Sequence, residues 1–132
     1  MRDPKGNPVP CCGQEWVVEY ARRVSAVVDG YATRVFWLTQ PAPRAANRAE
    51  IYRAVNDGLA LAAVGASDLE LVDVADLLSP GFVYRTFMRL NGRRTRIRDR
   101  DGVHLTLAGA LLADRLVMHA LVEASIVRSA RR

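Results

Sequence analysis

Apolar residues recur along this chain first at intervals of three and four, then in short unbroken runs, and finally at helical intervals again. Between residues 14 and 29, Trp16, Val17, Tyr20, Val24, Val27 and Val28 follow helical spacing, and Glu15, Glu19, Arg22 and Arg23 fill the other positions. This predicts an amphipathic helix with Trp16 and Tyr20 as core anchors and Gly30 as its stop. Residues 34–39 form a continuous β-rich run, the pattern of a strand covered on both faces. The run ends at Gln40-Pro41-Ala42-Pro43, which no strand continues through. Residues 47–64 predict a second helix, buried along Ile51, Val55, Leu59 and Ala62, with Asn47 and Glu50 as a variant capping box and Gly65 as the stop. Residues 69–74 predict a second strand and 77–82 a connecting loop. Asn91-Gly92 between 83–90 and 93–98 is a type I′ hairpin signal. A closing helix is expected from Leu107 to about Ser129, with Thr106 as N-cap and Leu107, Leu111, Leu112, Leu116, Ala120, Leu121 and Val127 as its apolar face. The prolines and glycines of 1–13 predict a loop.

The order helix, strand, helix, strand, hairpin, helix contains one β-α-β unit, whose crossover is expected to be right-handed. The predicted class is α/β: two parallel strands with flanking helices and an inserted β-hairpin. At 132 residues this is one domain at most, with 14–129 as its folded part. With only two parallel strands, the first keeps an unpaired edge, which predicts self-association or dependence on a further segment.

Half of the residues are hydrophobic and a quarter are charged, which excludes a disordered chain. No apolar run reaches membrane-spanning length. The polar, Pro/Gly-rich N-terminus lacks the apolar region of a signal peptide. Cys11 and Cys12 are the only cysteines. Adjacent cysteines rarely pair, so two incidental thiols are expected, with neither a disulfide framework nor a metal site. No cofactor is implied. The net charge of +5 is unevenly placed: residues 85–101 hold seven arginines and two aspartates, and the rest of the chain holds twelve basic and twelve acidic residues. This segment alone suggests an anionic partner. Lysine occurs once, however, so a general preference for arginine accounts for much of the excess, and only Tyr84 and Phe87 offer stacking surfaces. Nucleic acid is the disfavoured partner.

The chemistry concentrates at Asp101-Gly102-Val103-His104, followed by Thr106 and Gly109. A histidine can accept a proton from a hydroxyl nucleophile and return it, provided a carboxylate holds its other ring nitrogen. Three residues apart in a turn, Asp101 can orient His104 locally. Gly102 permits a positive φ between them, and the Thr106 cap sets where the loop ends. The plainer reading is a common Asp-Gly turn. Asp73, near the end of the second strand, fits the acid position less well than Asp101. Thr39 and Gln40 lie where α/β folds place pockets, although ordinary loop polarity explains them. His119 has no acid partner at motif spacing and reads as a packed or surface residue.

Asp101-Gly102-Val103-His104-Leu105-Thr106, then Ala108-Gly109-Ala110 and an Ala/Leu-rich helix, resembles the last block of the SGNH (GDSL-type) hydrolases. The resemblance is specific at 101–109 and diffuse upstream to about Trp16. It implies a partial flavodoxin-like, three-layer α/β/α fold. It also implies ester or O-acyl hydrolysis or transfer on a small-molecule or glycan ester, with His104 as general base and Asp101 as its orienter. The family's Gly-Asp-Ser nucleophile block does not occur here, nor does Gly-x-Asn-Asp. Val55-Asn56-Asp57 lacks the glycine and falls within a predicted helix. Residues 1–13 look like the loop that follows Gly-x-Asn-Asp, so the chain resembles the C-terminal half of such an enzyme and is expected to be inert alone. None of Ser25, Ser67, Ser79, Ser125 and Ser129 is in a nucleophile setting. The alternative is a non-catalytic module that binds an anionic partner through the arginine-rich hairpin.

Overall fold

The computed structural model describes residues 1–30 and 34–127. Its elements are helix α1 (Gln14–Val28), strand β1 (Val35–Leu38), helix α2 (Ala46–Gly65), strand β2 (Leu69–Val72), helix α3 (Val74–Leu78), a 3-10 turn (Pro80–Phe82), strands β3 (Phe87–Leu90) and β4 (Arg93–Arg96), and helix α4 (Leu107–Glu123). β1 and β2 pair in parallel, with Val35 opposite Leu69 and Trp37 opposite Leu71. Successive strand side chains point to opposite faces. Val35, Trp37, Leu69 and Leu71 accordingly pack with Val24, Val28, Leu59 and Ala62 of α1 and α2. Phe36 and Val72 pack in a second core with Leu78, Ile97, Leu112 and Leu116. The parallel pair therefore lies between α1/α2 and α4, the α/β layering read from the sequence. Among the described residues β1 pairs only with β2, so its other edge is open.

The hairpin forms at the expected turn. Asn91 (φ 49°) and Gly92 (φ 77°) both take positive φ, as a type I′ turn requires. Its strands are shorter than expected, because Arg98 leaves the ladder to bridge Leu105. The second strand is also shorter. Asp73 leaves it to cap α3, accepting from the Asp76 amide at 3.0 Å, so the expected loop at 77–82 is largely helical. Helix α4 ends at Glu123, and the position expected for its end, Ser129, lies outside the described residues. Cys11 and Cys12, expected as separate thiols, lie side by side in the N-terminal loop.

Expectations for both α1 and α2 are corrected. The N-cap of α2 is Ala45, without a side-chain hydrogen bond. Asn47 and Glu50 lie inside the helix, beyond the position from which they could form a capping box. The buried face of α2 is Ala54, Gly58, Leu59 and Ala62, while Ile51 is exposed. The reason is a close crossing with α1: a Cβ on Gly58 would stand 2.6 Å from Tyr20 Cδ1 and 3.3 Å from the Val17 carbonyl oxygen. On α1, Val27 is exposed and Glu19, expected on the polar side, is only 6% accessible. Its carboxylate accepts from Arg22 (2.8 Å, both oxygens) and Arg23 (2.8 Å). The Arg22 bonds foremost, then Arg23, lower its pKa to about 2.

The folded state thus binds the Glu19 proton more weakly than the unfolded chain does. The carboxylate's contribution is present above the ordinary carboxylate range and is lost as pH falls toward 2. Glu19→Gln should therefore lower the urea midpoint at pH 7 but narrow the gap to wild type in acid, as paired denaturation curves would show. At Gly109, a Cβ would meet the Ile97 carbonyl oxygen at 2.2 Å, whereas one at Gly65 would meet nothing within 4 Å. Gly109→Ala should destabilise by at least about 1–3 kcal/mol, the usual cost of overpacking. Gly65→Ala should be neutral or stabilising, and thermal melts of the two variants check the contrast.

Candidate functional site

Strand β4 stops at Arg96, and the chain turns back on itself before α4. The turn is closed at its neck. The Ile97 amide donates to the Thr86 carbonyl (2.9 Å), the Thr106 amide to Ile97 (3.0 Å), and the Thr106 hydroxyl to Arg96 (2.7 Å). Arg98 and Leu105 face each other in an antiparallel bridge. Thr106 also caps α4 as expected, its Oγ1 accepting from the Gly109 amide at 3.3 Å. Above the neck the Asp99 amide donates to the His104 carbonyl (2.8 Å) and the Gly102 amide to Asp99 (3.1 Å).

Within this turn Asp101 and His104 meet. Asp101 Oδ1 accepts from the backbone amides of Val103 (2.9 Å) and His104 (3.0 Å). Oδ2 is in direct hydrogen-bond contact with His104 Nδ1. One carboxylate oxygen is thus held by the turn's own backbone, and the other is left for the imidazole. The Val103 amide first, then the His104 ring and the His104 amide, hold the Asp101 carboxyl well below the usual carboxylate range. Gly102 makes the turn possible. Its φ is +76°, and a Cβ there would lie 2.6 Å from Arg44 Cβ. The Arg44 amide donates to the Gly102 carbonyl at 3.0 Å, tying the turn to the loop after β1.

Beneath the turn lies Arg98, one of the seven arginines whose clustering in 85–101 suggests an anionic partner. Arg98 is 1% accessible. Its Nη2 donates to the Ala42 carbonyl at 2.9 Å, and its guanidinium lies 5.4 Å from the Tyr84 ring. Burial pushes its pKa down, and its Nε and Nη1 have no hydrogen-bond partner among the described residues. The available signal was its position just after the hairpin, at the neck of the motif turn. Its alternation with the exposed arginines concealed it.

The pair is presented openly. The His104 side chain is 78% accessible and that of Asp101 46%. Neither residue lines any of four cavities of about 370–480 Å³ formed elsewhere among the described residues. The first, about 370 Å³, lies at the ends of β1 and β2 and includes Thr39, Asn56, Asp73 and Ser79. Thr39 and Asp73 bond each other there (2.8 Å). Asn56 clasps the Gln40 backbone, accepting from its amide (2.8 Å) and donating to its carbonyl (2.9 Å). These contacts hold loops in place. Ser79 Oγ is buried without a partner among the described residues, in a cavity that includes neither Asp101 nor His104. His119 does have an acid neighbour, Glu123 at 3.7 Å, but both are exposed on α4. Among the described residues no group of three or more His, Cys, Asp or Glu is placed to hold a metal ion. No helix among them is long and apolar enough to cross a membrane.

A family model described as protein of unknown function DUF459 matches residues 1–120. The chain belongs to that family. No curated protein matches it. The match takes in every element of the fold up to the last turn of α4, and so the whole Asp101–His104 turn of this DUF459 chain.

The order of the causes that lower the Asp101 pKa can be tested. In a carbon-13 carboxyl titration by NMR, Asp101 should ionise well below an ordinary aspartate. His104→Ala should raise its pKa only part of the way, because the Val103 amide bond remains. Because the folded-state value is depressed, this carboxylate stabilises the fold above the ordinary aspartate range and ceases to do so as pH falls through its lowered pKa. A complete return to the ordinary value in His104→Ala would show that the imidazole, rather than the backbone, holds the acid.

Proposed function

We propose that this DUF459 chain is an SGNH-type hydrolase-like protein, acting on an ester or O-acyl group with His104 as general base and Asp101 as its orienter. The observation that carries the reading is the contact between Asp101 Oδ2 and His104 Nδ1, made by a carboxylate whose other oxygen is already held by two backbone amides. A proton on Nδ1 donated to this carboxylate leaves Nε2 with its lone pair free. Nε2 could then take the proton of a hydroxyl nucleophile as that oxygen attacks an acyl carbon, and return it to the departing alkoxide. The ion pair favours the imidazolium formed between these two steps. The exposure of His104 fits a role in which other residues complete the site around it.

In this reading the nucleophile and the oxyanion donors are not supplied by the chain's own serines. Ser79 is buried in a cavity that includes neither Asp101 nor His104, and Ser25 lies in α1. A segment bearing Gly-Asp-Ser would supply them, and the open edge of β1 is where further strands of the sheet would add. The substrate class is a small-molecule or glycan ester.

The chain alone should show no turnover of p-nitrophenyl acetate and no labelling by a fluorophosphonate. Mixed with a polypeptide carrying the Gly-Asp-Ser and Gly-x-Asn-Asp blocks, it should gain activity. His104→Ala should then remove at least about a thousandfold of that activity, the scale set by loss of a triad member. Stoichiometric labelling of a serine in the chain alone, lost in His104→Ala, would overturn the assignment of the nucleophile. Activity in the mixture that survives His104→Ala would overturn the role of His104.

A further inference from the structure

The hairpin has two unlike faces. Met88 and Leu90 turn into the core beneath α4. By the cross-strand register, Phe87 opposite Arg96 and Arg89 opposite Arg94 share the other face. The Arg94 guanidinium lies 3.9 Å from the centre of the Phe87 ring, with that of Arg96 at 5.5 Å. Next to the hairpin tip a groove of about 380 Å³ separates the ribbon from α4. Arg89 and Arg115 line it together with the apolar side chains of Leu90, Ala108, Leu111 and Leu112. Ala108, Leu111, Leu112 and Arg115 come to it together because residues three, four and seven apart share a helix face. Leu111 is 50% accessible, and Leu107, one turn earlier, 77%. Among the described residues no carboxylate lies within ion-pair distance of Arg89, Arg94, Arg96 or Arg115.

We propose that this surface docks the protein onto an anionic bilayer, with lipid phosphates between the arginines and acyl chains against Leu107 and Leu111. The segment containing the ribbon carries the whole net positive charge of the chain, six of its seven arginines are exposed and only Arg98 is buried, and Arg115 adds to it from α4. Surface potentials of anionic leaflets attract such clusters. The apolar side chains beside them select among anions. A phosphate polymer would satisfy the guanidiniums and leave two leucines in water, whereas the headgroup boundary accepts both. A single-stranded nucleic acid would also need a free aromatic face for its bases, and Arg94 already stacks on Phe87. The proposal uses neither Asp101 nor His104.

The test is co-sedimentation of the purified chain with phosphatidylcholine vesicles, with and without phosphatidylglycerol, beside binding to a duplex DNA and displacement by inorganic phosphate. Sedimentation should require phosphatidylglycerol and weaken with salt. Arg89→Gln and Arg115→Gln should each weaken it about fivefold, the effect of one basic residue at an anionic surface (~1 kcal/mol). Arg48→Gln, an exposed arginine on α2, should leave it unchanged. Leu111→Asp should also weaken it, and far-UV circular dichroism checks that each variant is folded. If the leucine variant fails to fold, the two arginine variants decide the matter. Equal sedimentation with neutral vesicles, no sedimentation with either, or wild-type binding in the double arginine variant would overturn the proposal. So would tighter binding to the DNA, or release by phosphate beyond that caused by chloride at equal ionic strength.

Discussion

The structure around His104 depends on how closely the first turn of α4 approaches the Ile97 carbonyl. Gly109 permits an approach that no side chain would tolerate. That approach brings Thr106 onto Arg96 and Ile97, and those bonds close the neck of the turn. Once the neck is closed, the six residues between Arg98 and Leu105 have little choice of path. The turn is therefore held from below by packing, and from the side by the Arg44 amide on Gly102. Packing of this kind is unforgiving, because interiors have no slack for an added methyl.

Within that frame the acid is organised before the base. Two amides hold one oxygen of Asp101, so the carboxylate keeps its charge and direction whether or not the imidazole is protonated. This suits an orienting residue, which works by keeping one tautomer and one ring direction. The surrounding charge is arranged differently. Arg98 is drawn under the turn and buried, while Arg89, Arg94 and Arg96 remain on the outer ribbon face. One arginine-rich run thus serves two purposes, internal support and an outward cationic surface.

Much of this was legible in the chain. The helical spacing of α1, the unbroken apolar run of β1, the β-rich Leu-Glu-Leu-Val of β2, the Asn91-Gly92 turn and the Thr106 cap all depend on local backbone preference and on burial period, which neighbouring residues carry. The pairing of Asp101 with His104 was legible for the same reason, since three residues in a turn need no distant partner. Less legible were features made by one element pressing on another. Glu19 is buried because Arg22 and Arg23 clasp it, and the buried stripe of α2 shifts to Ala54 and Gly58 because Tyr20 crosses there. The capping box read at Asn47 and Glu50 was a pattern without the geometry, since Ala45 holds the capping position.

The sequence by itself determined the order and type of the elements other than α3 and the 3-10 turn, the turn that brings acid to imidazole, and the strand alternation that divides the apolar side chains into two sets. These are short-range matters, decided by φ preferences and by the periods of helix and strand. Only the tertiary structure decided which arginine is buried, that Asn56 clasps the Gln40 backbone, and that His104 stands open to solvent. Each of these depends on the distance between segments far apart in the chain, set by the close packing at Gly58 and Gly109, and no local pattern of residues encodes it.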